Sequence, residues 1–218
     1  MKLLLTSGGL TNQSIVKALK DLLAKSFNQL NLAFIPTAAN VEFGDKSWLI
    51  NNLLECQKLG FKSIDIVDIS ALPKKIWQKR LEDSDALLFS GGNTYHLMYW
   101  INKSGLKDIL KKLLKTRVYI GISAGSIITT PSLKLSSVEK EPLKEIGETI
   151  YDDGLGLVNF LVEPHINSPY FPELTFDYVE QEAEKVSSPI YALDDNCAIK
   201  VDGKNVSVIS EGIWKRFN

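Results

Sequence analysis

A serine held between two glycines, Gly121-Ile122-Ser123-Ala124-Gly125, has the residue types and spacing of a nucleophile. The apolar run "VYI" leads into it and a second apolar stretch follows, so the serine falls where a strand turns into a helix. On such a turn a G-x-S-x-G serine lifts its hydroxyl above the edge of the sheet, where it can attack a carbonyl carbon. At roughly 7% each for glycine and serine, the pattern arises by chance in about one chain in fifteen of this length, so its setting carries more weight than the pattern. The attack also needs donors for the oxyanion. The N–H of Ala124, at the start of the expected helix, is one, and the helix dipole favours negative charge there. The amides of Gly91 and Gly92, in "FSGGNT", are the natural second source, because glycine lets backbone approach a substrate closely.

A serine hydroxyl is a poor nucleophile without a base. The chain has two histidines. His96, in "NTYHLMYWI", falls in the first turns of an expected helix and reads as structural. His165, in "FLVEPHINSP", follows an apolar strand and sits behind Pro164, where a loop at a strand end can reach the active edge of a sheet. His165 is the expected base. A carboxylate should orient its imidazole. Glu139, Glu141, Asp152, Asp153, Glu163, Asp194 and Asp195 are all candidates, and spacing does not choose among them.

The elements that must position these groups alternate in type. "KLLLTSGG", "LAFIPTAA", "KSIDIVDI", "DALLFS" and "VYIGIS" read as strands, separated by helical patterns that begin near Thr11 as N-cap, end at Gly60, or open at Pro73. Strands alternating with helices imply an α/β fold with a doubly wound, mostly parallel sheet and helices on both faces. The carboxyl ends of its strands share one edge, so "TSGGL", "FSGGNT" and "GISAGS" should converge there. The last third gives a short strand, a proline-rich loop, a helix, the strand "PIYALDD" and a C-terminal β-hairpin at Asp202-Gly203. With no repeat or linker, residues 1–218 are expected to form a single domain.

Composition narrows the function. A net charge of -1 offers no field for nucleic acid, and the lysines of "LKDILKKLLKTR" alternate with leucines as the wet face of an amphipathic helix. Cys56 and Cys197 are too isolated for a disulfide framework or a metal site. No apolar stretch approaches the roughly 20 residues of a membrane span, and the N-terminus lacks a signal-peptide core, which predicts a cytoplasmic protein without membrane association. No cofactor and no metal are expected.

Four stretches together, "FSGGNTYHL", "GISAGSIIT", "DGLGLVNFLVEPHIN" and "ALDDNCAIKV", resemble the dipeptidase E family of serine peptidases, which includes alpha-aspartyl dipeptidase and, more distantly, cyanophycinase. The resemblance covers nearly the whole chain and implies a sheet like that of the class I glutamine amidotransferases, with serine in place of their cysteine. It makes Ser123 the nucleophile, His165 the base, and Gly92 and Asn93 of "GGN" part of the substrate and oxyanion site. The family's acid lies between serine and histidine, yet no aspartate occurs between Ser123 and Asp152. Glu141 is the best replacement by position, with Glu139 behind it. The implied activity is hydrolysis of small peptides through a Ser-His-Glu triad, by a monomer or homodimer. Preference for an N-terminal aspartyl residue would be inherited, but Arg80, Arg117 and Arg216 all fall outside the expected active-edge loops, against a cationic clamp. The rival readings are a catalytically idle small-molecule binding or regulatory protein, suggested by the missing aspartate, and an esterase with the same elbow.

Overall fold

The computed structural model of the chain describes residues 1–136 and 140–218, the side chain of Glu141 excepted. In chain order the strands are β1 (Lys2–Thr6), β2 (Asn31–Ile35), β3 (Ser63–Ile66), β4 (Ala86–Phe89), β5 (Val118–Ile122), β6 (Leu161–Glu163), β7 (Ile190–Leu193), β8 (Cys197–Asp202), β9 (Asn205–Ser210) and β10 (Trp214–Phe217). The helices are α1 (Gln13–Leu23), α2 (Ser47–Lys58), α3 (Lys74–Glu82), α4 (Thr94–Lys103), α5 (Leu106–Leu113), α6 (Ala124–Ile127), α7 (Glu141–Glu145) and α8 (Phe176–Ala183).

The main sheet has the order β3-β2-β4-β5-β1-β8-β9, with its first five strands parallel and the last two antiparallel. Its central strands β1, β2, β4 and β5 are apolar on both faces, as burial on both sides demands, whereas the edge strands β3 and β9 are largely exposed. Leu3, Leu5, Ala33, Ile35, Leu87 and Phe89 join one core with Trp77, Leu97 and Leu110 of α3–α5. Their neighbours in sequence, Leu4, Leu32, Phe34, Ala86 and Leu88, face the opposite way and meet Ile15, Leu19 and Cys56 of α1 and α2. The doubly wound, mostly parallel sheet read from the sequence is therefore present. So is the hairpin, in which Asp202 pairs with Asn205 and Gly203 takes φ +62°.

Two details depart from the sequence reading. The N-cap of α1 is Asn12, whose side chain accepts from the Ile15 N–H; Thr11 is turned to another task, described below. A second sheet, β10-β7-β6, includes a strand at 214–217 that the sequence does not announce, because it is four residues long and mostly exposed. Among the described residues, no helix is long and apolar enough to cross a membrane.

Thr6, Ile35, Phe89 and Ile122 end their parallel strands along one edge. Because β8 runs antiparallel to β1, with Ala198 opposite Thr6, the loop that enters β8 arrives at this same edge.

Candidate active site

Ser123 follows β5 and is the N-cap residue of α6, with φ 49° and ψ -111°, a backbone state that a side-chain-bearing residue holds only when its surroundings impose it. The surroundings are specific. The Ser123 N–H donates to the Thr6 carbonyl (3.0 Å), and its own carbonyl accepts from the N–H groups of Ser126 (2.7 Å) and Ile127 (2.9 Å). The Ser126 hydroxyl donates to the same Thr6 carbonyl at 2.8 Å, tying α6 to β1. A Cβ at Gly121 would stand 2.6 Å from the Gly125 oxygen, and one at Gly125 would overlap the Phe89 carbonyl. Both glycines of the motif are thus required by close backbone approach.

His165 and Asp195 reach the serine from the second sheet. β6 pairs in parallel with β7, placing Glu163 opposite Ala192, so the chain leaves both strands side by side. Two residues past β6, His165 adopts φ +63° and turns its ring towards β5. Its Nε2 lies 2.8 Å from Ser123 Oγ. Its Nδ1 lies 2.6 Å from Asp195 Oδ1, two residues past β7. Ser7, at the end of β1, bridges the pair: its hydroxyl accepts from the His165 backbone N–H (2.8 Å) and donates to Asp195 Oδ1 (2.9 Å). The Thr11 hydroxyl donates to the Asp195 carbonyl at 3.0 Å, which is why it does not cap α1. The turn after β1 passes so close that a Cβ on Gly8 would stand 2.8 Å from the Asp195 oxygen. The Phe171 ring stacks on His165 with centroids 4.8 Å apart.

Burial pushes the Asp195 carboxyl up, but the hydrogen bond and charge of His165, together with the Ser7 hydroxyl, outweigh it and hold its pKa below the ordinary value. An ionised Asp195 only accepts, so Nδ1 must carry a proton. In the neutral imidazole, Nε2 is then left as the acceptor that faces the serine hydroxyl.

The carboxylate within hydrogen-bond reach of His165 Nδ1 is Asp195, while the side chain of Glu141, the acid expected from the sequence, lies outside the described residues. The physical reason is topological: β6 and β7 deliver residues 165 and 195 to one place, whereas Glu141 opens α7, which packs on α4. Glu139 lies outside the described residues. Among the other carboxylates, Asp152 pairs with Lys140 (2.6 Å), and Asp194 holds its own loop through the N–H groups of Asn196 and Ile213. Glu163 is buried at 2% exposure, and burial raises its pKa well above the ordinary value. His96 stays in α4, where burial lowers its pKa.

Gly91 and Gly92 follow β4 beside the serine, with a Cβ at Gly91 falling 3.3 Å from Ser123 Cβ. Among the described residues, the backbone N–H groups of Gly91, Gly92 and Ala124 have no hydrogen-bond partner. Asn93 is nearly fully buried and its Oδ1 accepts from the His96 N–H at 3.0 Å, so its side chain caps α4 next to the site.

A profile of peptidase family S51 matches residues 3–209. The chain belongs to peptidase family S51. It is 32% identical over 180 residues to the uncharacterized peptidase Lmo0363 of Listeria monocytogenes, covering 80% of this chain and 83% of that protein. It is 27% identical over 198 residues to peptidase E of Nostoc sp. strain PCC 7120, covering 88% of this chain and 76% of that protein. The crystal structure of a Listeria monocytogenes EGD-e protein provisionally assigned to peptidase E superposes with a TM-score of 0.79 at 24% identity, over 97% of this chain and 98% of that one, a likeness of fold. This S51 chain accordingly has the sheet architecture of its structural neighbour and the sequence of a peptidase.

Proposed function

We propose that the protein is a serine-type peptidase acting on small peptides, with Ser123 as nucleophile, His165 as general base and Asp195 as the group that orients His165. The observation that carries this reading is the unbroken chain from Ser123 Oγ through His165 to Asp195, at 2.8 and 2.6 Å. As Ser123 attacks the scissile carbonyl, its proton passes to His165 Nε2, and Asp195 stabilises the imidazolium that forms. We assign the oxyanion to the amides of Gly91, Gly92 and Ala124, which have no hydrogen-bond partner among the described residues, and one such donor is worth about 10²–10³ in rate. His165 then returns the proton to the leaving amine, and water repeats the cycle on the acyl-enzyme.

The case for an idle protein rested on a missing acid, and Asp195 supplies one. The test is hydrolysis of a dipeptide panel by the wild type and Ser123→Ala. We expect Ser123→Ala to lose at least about 10³-fold in kcat. Activity surviving the substitution contradicts the reading, and a preference for matched esters over every peptide would make the protein an esterase.

A further inference from the structure

The side chain chosen beside the scissile bond can be read from what surrounds Ser123, on the footing of the peptidase reading above. The loops that follow β1, β2 and β4, and those that carry His165 and Asp195, cover residues 7–12, 36–46, 90–93, 164–175 and 194–196. They contain one lysine, Lys46, and no arginine, against Glu42, Asp45, Glu173, Asp194 and Asp195. Lys46 itself donates to the Glu42 carbonyl. All three arginines are engaged elsewhere: Arg80 with Asp65, Arg117 with the carbonyls of Glu82 and Ser84, and Arg216 over the Tyr191 ring at 5.9 Å. An edge of this charge repels a carboxylate side chain rather than seating it.

What the edge does offer is aromatic surface. Trp48, in the first turn of α2, is 37% exposed, yet it reaches the nucleophile: a Cβ on Gly91 would lie 3.3 Å from Ser123 Cβ and 3.8 Å from Trp48 Cζ3. Ser123, the Ile122 carbonyl and the indole thus all border the space that a Gly91 side chain would fill, and the lack of that side chain leaves it open. Phe171, stacked on His165, adds a second ring beside the site. A partly exposed indole beside Ser123 marks a place where apolar surface can be received. A carbonyl held over Ser123 beside Gly91 brings the rest of its residue within reach of the Trp48 ring.

We propose that the residue donating the scissile carbonyl bears a large apolar or aromatic side chain seated on Trp48, and that an aspartyl side chain is disfavoured. The experiment measures kcat and KM for dipeptides X-Leu, with X as Phe, Leu, Ala or Asp, using the wild type, Trp48→Ala and Trp48→Phe. Labelling of Ser123 by a fluorophosphonate is followed in each. We expect Phe to exceed Ala in kcat/KM by about 10- to 100-fold, the worth of burying an aromatic ring, with Asp slowest. Trp48→Ala should cost about tenfold in kcat/KM for Phe and Leu, mainly through KM, and less than about twofold for Ala, while Trp48→Phe restores most of the loss. Faster cleavage of the Asp peptide, or an equal loss across all four peptides in Trp48→Ala, overturns the inference. If that occurs while Ser123 is still labelled in all three proteins, the peptidase reading stands without it. Absence of both labelling and hydrolysis in the wild type removes that reading as well.

Discussion

The Ser123 elbow and the His165–Asp195 pair meet across 2.8 Å, yet different physics holds them. The elbow is fixed by steric exclusion. Its glycines admit backbone atoms where no Cβ fits, and its hydrogen bonds run almost wholly between neighbours in sequence and the end of β1. The pair is fixed by polar side chains from distant segments. Ser7 bridges across 158 residues to His165 and 188 to Asp195, and Thr11 holds the Asp195 carbonyl from 184 residues away. Ser123 is thus locked by shape, and His165 and Asp195 are aimed by hydrogen bonds that water and pH can compete for.

The largest effect that separates the two regions is catalytic. Asp195→Asn leaves the shape of the loop nearly unchanged but removes the acceptor that fixes the His165 tautomer. It should lower kcat by about 10³- to 10⁴-fold, with the urea midpoint little altered. Glu141→Gln should stay within about threefold of wild type; a reversed ranking would return the acid to the segment between serine and histidine.

Breaking the elbow should cost folding as well as catalysis. A methyl group at Gly125 has to displace the Phe89 carbonyl, so Gly125→Ala should destabilise the protein by about 3 kcal/mol in urea unfolding. At Gly44, where φ is +83° and nothing lies within 4 Å, the same change meets only backbone strain and should cost about 1 kcal/mol. Equal costs at the two glycines would show that packing does not hold the elbow.

The smallest effect is a pH dependence confined to the pair. The folded pKa of Asp195 lies below its ordinary value, so the native state binds fewer protons than the unfolded chain in the acid range. Its contribution is complete above the ordinary carboxylate value of about 3.9 and is lost as pH falls through the folded pKa. With the side chain 40% exposed, water screens much of it, and we expect less than about 1 kcal/mol. The urea midpoint of the wild type should therefore fall more steeply below about pH 4 than that of Asp195→Asn, and parallel profiles would contradict this assignment.

How far each region could be read from the sequence follows the same division. The elbow is local in sequence, and residues 121–125 carry their own steric logic; the parallel sheet beneath it is equally local, in its alternating strands and helices. His165 was legible because Pro164 and an apolar strand place it at a strand end. The carboxylate that faces His165 was not, because its place is set by the register of β6 on β7, which no spacing within 141–195 reveals. A signal was present. "ALDD" runs directly into the strand of a hairpin, and an antiparallel strand laid beside β1 brings its entering loop to the edge where parallel strands leave. The resemblance points instead to the segment between serine and histidine. Thr11 was misassigned for a related reason: a threonine before a helix usually caps it, and only the arrival of the 194–196 loop gives this one a different bond.

The central claim is that the two regions together make one activated serine. Its most direct measurement is fluorophosphonate labelling of the wild type and Ser123→Ala, with peptide mapping of the modified residue. We predict a single adduct on Ser123 in the wild type and none in Ser123→Ala, whereas an adduct on another residue, or an unreactive wild type, would contradict it.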